Sequence, residues 1–115
     1  MRVLGQHLIL EFYKCNSVIN NLKKLSPALE KIVKNSGGRI LETAYHKFKP
    51  QGISGIMIIA ESHVAIHTWP EHKFAAVDVF TCSENMNLDY IVKELKKLFE
   101  TKNVIIAKLN RGVIS

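Results

Sequence analysis

Two apolar stripes with helical spacing constrain the fold of this chain most. In each stripe, apolar residues recur every three or four positions, which is the periodicity of one face of an α-helix. The first stripe comprises Val18, Ile19, Leu22, Leu25, Leu29, Ile32 and Val33, and the second comprises Leu88, Ile91, Val92, Leu95, Leu98 and Phe99. Segments typical of β-strands lie before, between and after the stripes. This order predicts an α+β fold: a two-layer sandwich in which both helices pack on one face of an antiparallel sheet.

Turn residues and apolar runs predict the bounds of the strands. We expect strands over residues 3–13, 39–47, 53–60, 64–68, 74–82 and 104–109. A turn over Pro50-Gln51-Gly52 separates the second strand from the third. In the fifth strand, Val77 and Val79 are expected on one face and Asp78 and Phe80 on the other.

Capping residues predict where the helices begin and end. Asn16 or Ser17 is expected to cap the first helix. Pro27 lies inside its stripe and is interpreted as the start of a helical segment, with Ser26 as the cap. The glycines at positions 37 and 38 end that helix. The second helix is expected to have Asn87 or Asn85 as its cap.

Length and charge limit the classes of protein that fit. With 115 residues the chain is expected to form a single domain, residues 1–115. Its 16 Lys and Arg residues against 10 Asp and Glu residues give a net charge of +6. The lysines mostly follow helical spacing, which is typical of solvated helix faces. A clustered basic face with interleaved aromatic residues is absent from the sequence, so nucleic acid is not an expected partner.

The two cysteines predict a reducing compartment. Cys15 and Cys82 lie far apart and neither belongs to a C-x-x-C pair, which argues against a metal site built on cysteine. The first residues are too polar for a signal peptide, and no apolar run is long enough to span a membrane. We therefore expect a cytoplasmic protein with free thiols and no membrane partner.

One stretch, Ala60 to Glu71, concentrates chemically reactive residues. It reads A-E-S-H-V-A-I-H-T-W-P-E and holds a hydroxyl, two histidines, two carboxylates and the only tryptophan. Ser62 is a candidate nucleophile, and His67 or His63 a candidate base, provided that the fold brings them within hydrogen-bond reach. The alternative is that Ser62 caps a turn and that the histidines are surface residues.

The pattern E-S-H followed by H-T-W-P-E resembles the self-cleavage segment of the small prokaryotic S-adenosylmethionine decarboxylases. Other segments resemble this family in the same order, so the resemblance covers nearly the whole chain. They are Leu4-Gly5-Gln6-His7 with Glu11-Phe12, His46-Lys47-Phe48, Pro50-Gln51-Gly52-Ile53-Ser54-Gly55, Asp78-Val79-Phe80-Thr81-Cys82 and Arg111-Gly112.

The resemblance implies a proenzyme that cuts itself between Glu61 and Ser62. The products would be residues 1–61, the β chain, and residues 62–115, the α chain. Ser62 would attack the Glu61 carbonyl, and elimination and hydrolysis would convert it into a pyruvoyl group. By resemblance, His67 is the proton acceptor in this processing and Ser54 the second processing residue. The pyruvoyl ketone would form a Schiff base with the substrate amine.

The resemblance also implies roles in the decarboxylation itself. Cys82 matches the proton donor of the family, a role that suits a thiol because free thiols are mostly protonated at neutral pH. Phe48 and Trp69 match positions that contact the adenine or the sulfonium of S-adenosylmethionine, and Glu71 matches one that accepts the ribose hydroxyls. No metal is implied. Family members are dimers of cleaved protomers, and their product donates aminopropyl groups for spermidine synthesis.

Side-chain alternation makes a geometric demand on this interpretation. Ser62 and His67 are five residues apart, so they would point to opposite faces of a straight strand. Bringing them together requires a bend or turn near Ser62 and His63, and we predict that irregularity. A regular strand through residues 60–68 would count against the interpretation.

Two alternatives stay open on the same scaffold. One is an arginine decarboxylase, whose site would hold a guanidinium in place of adenine and ribose; Trp69 and Glu71 favour the nucleoside substrate. The other is a regulatory homologue that never cleaves. The presence of Ser62, His67, Ser54 and Cys82 together argues against this alternative.

Overall fold

A computed structural model describes residues 2–115, which form one antiparallel sheet and two helices. The strands are β1 (Arg2–Phe12), β2 (Ile40–Lys47), β3 (Ile53–Ile59), β4 (Ser62–Trp69), β5 (Phe74–Thr81) and β6 (Val104–Ile114), and the helices are α1 (Leu22–Asn35) and α2 (Leu88–Phe99). The strand order across the sheet is β2-β3-β4-β5-β1-β6. The predicted α+β sandwich is confirmed. None of the helices within these residues is long and apolar enough to cross a membrane.

The core lies between the helices and one face of the sheet, which we call the helix-side face. Leu10, Phe12 and Val77 on the strands are buried there against Leu25 and Phe99 on the helices. Because side chains alternate along a strand, the residues between them point to the opposite face, which we call the open face. Several large aliphatic side chains remain exposed on the open face: Ile56, Ile58, Ile105, Leu109 and Val113.

The start of α1 corrects the sequence prediction. Asn16 caps only a short 3-10 turn, Ser17–Asn20, and α1 begins at Leu22 with Asn21 as its cap. Ser26 and Pro27 lie inside the helix, and the Ser26 hydroxyl donates to the Leu22 carbonyl at 3.0 Å. The expected start at Pro27 is wrong because Leu22, Leu25 and Leu29 form one continuous apolar stripe, whose burial holds the helix together across the proline.

The other predicted helix ends are confirmed. Gly37 follows α1 with φ +106°, in the left-handed region that glycine adopts without strain, and a Cβ there would lie 2.5 Å from the Asn85 carbonyl oxygen. Asn87 caps α2 by accepting from the backbone N–H of Tyr90. The last strand is longer than predicted because β6 pairs with β1 along its length, up to Arg2 opposite Ile114.

The hairpin of β3 and β4 places its turn directly before Ser62. Ile59 pairs directly with Ser62, so the turn consists of Ala60 and Glu61 alone, and Glu61 takes φ +63°. The strand is regular from Ser62 to Trp69: it pairs with β5 along this whole length and with β3 from Ser62 to His67. A turn near Ser62 is therefore present, but it does not bring Ser62 and His67 together, because two ladders of backbone hydrogen bonds hold Ser62 and His63 in the sheet.

Candidate active site

One group of predicted site residues lies where β4 begins and β5 ends. We call Glu61, Ser62, Thr81 and Cys82 the cleavage cluster. Ser62 is half-buried and pairs in register with Thr81, and its hydroxyl donates to Thr81 Oγ1 at 2.9 Å. Thr81 is only 4% exposed and belongs to the helix-side face. The hydroxyl of Ser62 therefore points toward the core rather than toward the open face.

The backbone of the cleavage cluster holds the carbonyl that precedes Ser62. The N–H of Cys82 donates to the Glu61 oxygen at 3.0 Å. A hydrogen bond of this kind withdraws electron density from the carbonyl carbon and stabilises negative charge that develops on its oxygen. The thiol of Cys82 is free and exposed just beyond β5. The cluster thus combines a hydroxyl, a polarised carbonyl and a thiol at one end of the sheet.

The second group lies at the other end of β4, on the open face. We call Ser54, His67, Phe48, Trp69 and Glu71 the binding cluster. Ser54 and His67 face each other across β3 and β4, and the Ser54 hydroxyl lies 2.8 Å from His67 Nδ1. Together they line a shallow depression of about 320 Å³, which His46, Gly55 and Ile56 also line.

Aromatic rings border the Ser54–His67 pair. Phe48 is 45% exposed and its ring centroid lies 4.4 Å from that of His46. Trp69 is 42% exposed and lies 6.4 Å from the His67 ring and 5.4 Å from the Phe74 ring. Glu71 is exposed in the 3-10 turn Pro70–His72 that follows β4. Exposed aromatic rings can stack on a flat base, and a carboxylate can accept hydrogen bonds from hydroxyl groups.

Within one chain, the two clusters do not meet. Ser62 and His67 are five positions apart on a regular strand, which corresponds to about 17 Å. They also lie on opposite faces, because Ser62 contacts Thr81 on the helix-side face and His67 contacts Ser54 on the open face. The expectation that His67 reaches Ser62 inside a single chain is therefore wrong.

Cys15, the other cysteine, lies in the core. It is 3% exposed, and its thiol donates to the Phe12 carbonyl oxygen at 3.6 Å. Burial raises the pKa of this thiol to about 11. Since the reactive form of cysteine is the thiolate, Cys15 behaves as a small apolar residue. No group of three or more His, Cys, Asp or Glu side chains arranged to share a metal ion occurs among residues 2–115.

Sequence reasoning missed Thr81 and Asn20. Thr81 stands beside Cys82 in the sequence, but only the pairing register reveals that it contacts Ser62. The Asn20 side-chain oxygen accepts from Lys47 Nζ at 2.8 Å and from the Gly52 N–H at 3.0 Å, and so anchors the loop that carries Phe48. No local signal in the sequence indicated that contact.

Comparison with known proteins identifies the family. A family model described as S-adenosylmethionine decarboxylase matches residues 6–112. The S-adenosylmethionine decarboxylase proenzyme of Moorella thermoacetica is 44% identical over 115 residues, covering 99% of this chain and 92% of the relative. The proenzyme of the same name from Acetivibrio thermocellus is 44% identical over 117 residues, covering 98% and 92%.

Solved structures agree with this assignment. The crystal structure of the adenosylmethionine decarboxylase from Aquifex aeolicus superimposes with a TM-score of 0.90 at 28% identity, covering 100% of this chain and 96% of that one. A structure of Trypanosoma brucei AdoMetDC, the delta26 monomer, has a TM-score of 0.67 at 16% identity, covering 88% of this chain and 44% of that one, and it shares the fold alone. From the family model and the full-length relatives, we conclude that this chain belongs to the S-adenosylmethionine decarboxylase family.

Proposed function

We propose that this chain catalyses the decarboxylation of S-adenosylmethionine after cutting itself between Glu61 and Ser62, and so supplies the aminopropyl donor for spermidine synthesis. Membership of the family and the names of relatives at 44% identity support the reaction. The observation that carries the self-cleavage is the hydrogen bond from the Cys82 N–H to the Glu61 carbonyl oxygen, directly before the Ser62 hydroxyl.

The cleavage cluster contains the nucleophile, the carbonyl group and the carbonyl's hydrogen-bond donor for the proposed self-cleavage. Attack of the Ser62 oxygen on the Glu61 carbonyl carbon would form an ester and break the amide bond to the Ser62 nitrogen, which takes up the hydroxyl proton and becomes a free amine. While the oxygen of Glu61 carries negative charge, the Cys82 N–H would stabilise it. Removal of the Ser62 α-hydrogen would then expel the Glu61 carboxylate and leave dehydroalanine. Uptake of water and loss of ammonia would convert that residue into a pyruvoyl group at the start of residues 62–115.

The residues of the site fit such a group and its substrate. A pyruvoyl group formed from Ser62 would supply a ketone that bonds the substrate amine and withdraws electrons as carbon dioxide leaves. Cys82, next to the strand partner of Ser62, would deliver a proton to the substrate carbon from its exposed thiol. Phe48 and Trp69 would contact the adenine and the sulfonium, and Glu71 the ribose hydroxyls.

A second copy of the chain is the partner that would unite the two clusters. His67, with Ser54, is the proposed processing pair, yet about 17 Å of strand separates it from Ser62. The open face carries exposed aliphatic residues where a solvated sheet would carry polar ones. Two open faces related by a two-fold axis perpendicular to the strands would place the turn that carries Glu61, at the Ser62 end of β4, over the binding cluster of the other copy.

We assign the protein to the cytoplasm. Cys15 and Cys82 are both free thiols, and neither is bridged within residues 2–115. Free thiols are typical of proteins in a reducing compartment. That location is also where S-adenosylmethionine and the polyamine precursors would have to meet the enzyme.

The test is the intact mass of the denatured protein, after incubation with S-adenosylmethionine or with arginine and reduction by cyanoborohydride. We expect two species, residues 1–61 and 62–115, with an adduct of S-adenosylmethionine on the second. An adduct of arginine alone would show the rival substrate. A single stable species of full length would overturn the self-cleavage and leave a regulatory homologue.

A further inference from the structure

The Thr81 hydroxyl is surrounded by polar contacts although it lies in the core. It accepts from the Ser62 hydroxyl at 2.9 Å and from the Ser83 N–H at 2.9 Å, and it donates to the Ser83 carbonyl oxygen at 3.3 Å. Thr81 is 4% exposed, so these bonds have little competition from water. The hydroxyl is therefore held in one orientation.

The direction of each bond follows from the capacity of a hydroxyl group. A hydroxyl has one hydrogen and two acceptor sites. At Thr81 the hydrogen is used on the Ser83 carbonyl oxygen and one acceptor site on the Ser83 N–H. An acceptor site remains for Ser62, which donates to it at 2.9 Å. Its hydrogen then points at Thr81, and the lone pairs of the Ser62 oxygen are left free for the adjacent Glu61 carbonyl carbon.

We propose that Thr81 is the positioning residue for the nucleophile of self-cleavage, a role that rests on the self-cleavage proposed above. Thr81 orients the Ser62 oxygen, while the next residue, Cys82, holds the Glu61 oxygen through its N–H. Two consecutive residues thus hold the two reacting groups: Thr81 holds the attacking Ser62 hydroxyl, and Cys82 holds the Glu61 carbonyl that is attacked. Thr81 acts before the ester forms, since that step consumes the Ser62 hydroxyl.

A threonine suits this position better than a serine would. Its branched side chain restricts rotation about χ1, because two heavy atoms on Cβ leave few favourable rotamers. The methyl group adds apolar area to the core around Val79, its neighbour on the helix-side face. A serine would keep the hydrogen bonds but gain rotational freedom, so we expect it to support self-cleavage at a slightly lower rate.

The experiment measures self-cleavage of the newly made full chain during a cell-free translation chase. Thr81→Val removes the hydroxyl and keeps the shape, and we expect it to slow cleavage by about tenfold or more. Thr81→Ser should stay within about threefold of the wild type, since the hydrogen bonds return. Hydroxylamine, which cuts esters, should release no extra fragment from Thr81→Val, because the defect precedes the ester.

Thr101 provides a matched control. It is also buried, its hydroxyl donates to the Tyr13 carbonyl oxygen at 2.6 Å, and it accepts from the Asn103 N–H at 3.1 Å, but it lies away from Ser62. Thr101→Val loses a comparable pair of bonds and should cleave at a rate within about twofold of the wild type. Equal rates for Thr81→Val and Thr101→Val would overturn the role of Thr81.

Two further results separate the sources of failure. If Thr81→Val does not fold, as judged by circular dichroism, the rate of self-cleavage is measured in Thr81→Ala instead. This substitution removes the hydroxyl without putting a methyl group in its place, as valine does. Self-cleavage of a folded Thr81→Ala variant at the wild-type rate would overturn the inference. A wild-type chain that never cleaves would instead overturn the proposed self-cleavage itself.

Discussion

The two ends of β4 differ in burial, in face and in the kind of contact they make. At Ser62 the contacts are short hydrogen bonds to Thr81, which is buried on the helix-side face. At Trp69 the contacts are between aromatic rings, on an open face where the indole is 42% exposed. In the proposed function, the first end holds reacting groups of the chain itself, and the second end receives the substrate.

This difference shows how one small sheet can carry all the residues of a proposed site without bringing them together. A strand of eight residues has two faces and a length of more than 20 Å, so residues at opposite ends and on opposite faces cannot act on one bond. The two clusters would complete each other only through a second copy. The open face, with its exposed isoleucines, is the surface that would join them.

The largest expected effect comes from a charge on the open face. Ile58→Lys would bury two lysines in a two-fold interface, so we expect the dissociation constant of the dimer to rise by about a hundredfold or more. Sedimentation velocity over a concentration series measures it. Ile106→Lys is the matched control, because Ile106 is similarly exposed, at 49%, but lies on the helix-side face. Equal effects of both substitutions would contradict the assignment of the interface to the open face.

A smaller effect separates the binding cluster from the cleavage cluster. Trp69→Ala removes a stacking surface worth about 1–3 kcal/mol, so we expect KM for S-adenosylmethionine to rise by about thirtyfold. Steady-state release of labelled carbon dioxide by the cleaved enzyme measures this change. The rate of self-cleavage should change far less than KM. A variant that cleaves itself much more slowly, while KM of its cleaved fraction stays the same, would reverse the roles assigned to the two ends.

The smallest effect concerns stability and leaves both clusters intact. Burial raises the pKa of Cys15 from 9.0 to about 11, so the unfolded chain loses its thiol proton at a lower pH than the folded chain does. Stability is therefore full below pH 9 and falls as the pH rises toward 11, by about 1 kcal/mol at pH 10. Urea unfolding at pH 8 and pH 10 measures it, with Cys15→Ala as the control. An equal loss in both proteins would assign the slope to other groups.

Local patterns in the sequence predicted the helices and strands. The pairing of the strands determined which of the site residues lie next to each other. The alternation of Val77, Asp78, Val79 and Phe80 and the Asn87 cap are signals between near neighbours, and both are confirmed. The start at Pro27 was wrong because tertiary burial of the apolar stripe outweighed a local rule for proline. The bond between Ser62 and Thr81 joins residues 19 positions apart, and it depends on a two-residue turn that no local signal specified.

The error about Ser62 and His67 is the most instructive one. The expectation assumed that the serine and the histidine of one motif act on each other within one chain. The structure instead places Ser62 and His67 on opposite faces of a regular strand. Five residues of spacing are enough to predict opposite faces, but the spacing does not reveal which group completes the site, for which we propose a second copy of the chain.

Complementation between two inactive chains tests this account most directly. One chain carries Ser62→Ala and keeps His67; the other carries His67→Ala, keeps Ser62 and bears a tag that changes its mass. Each chain expressed alone is expected to stay at full length, and co-expression is expected to yield the 62–115 fragment from the His67→Ala chain only. If both chains remain at full length when they are co-expressed as dimers, or if His67→Ala alone cleaves at the wild-type rate, the cross-chain arrangement is contradicted.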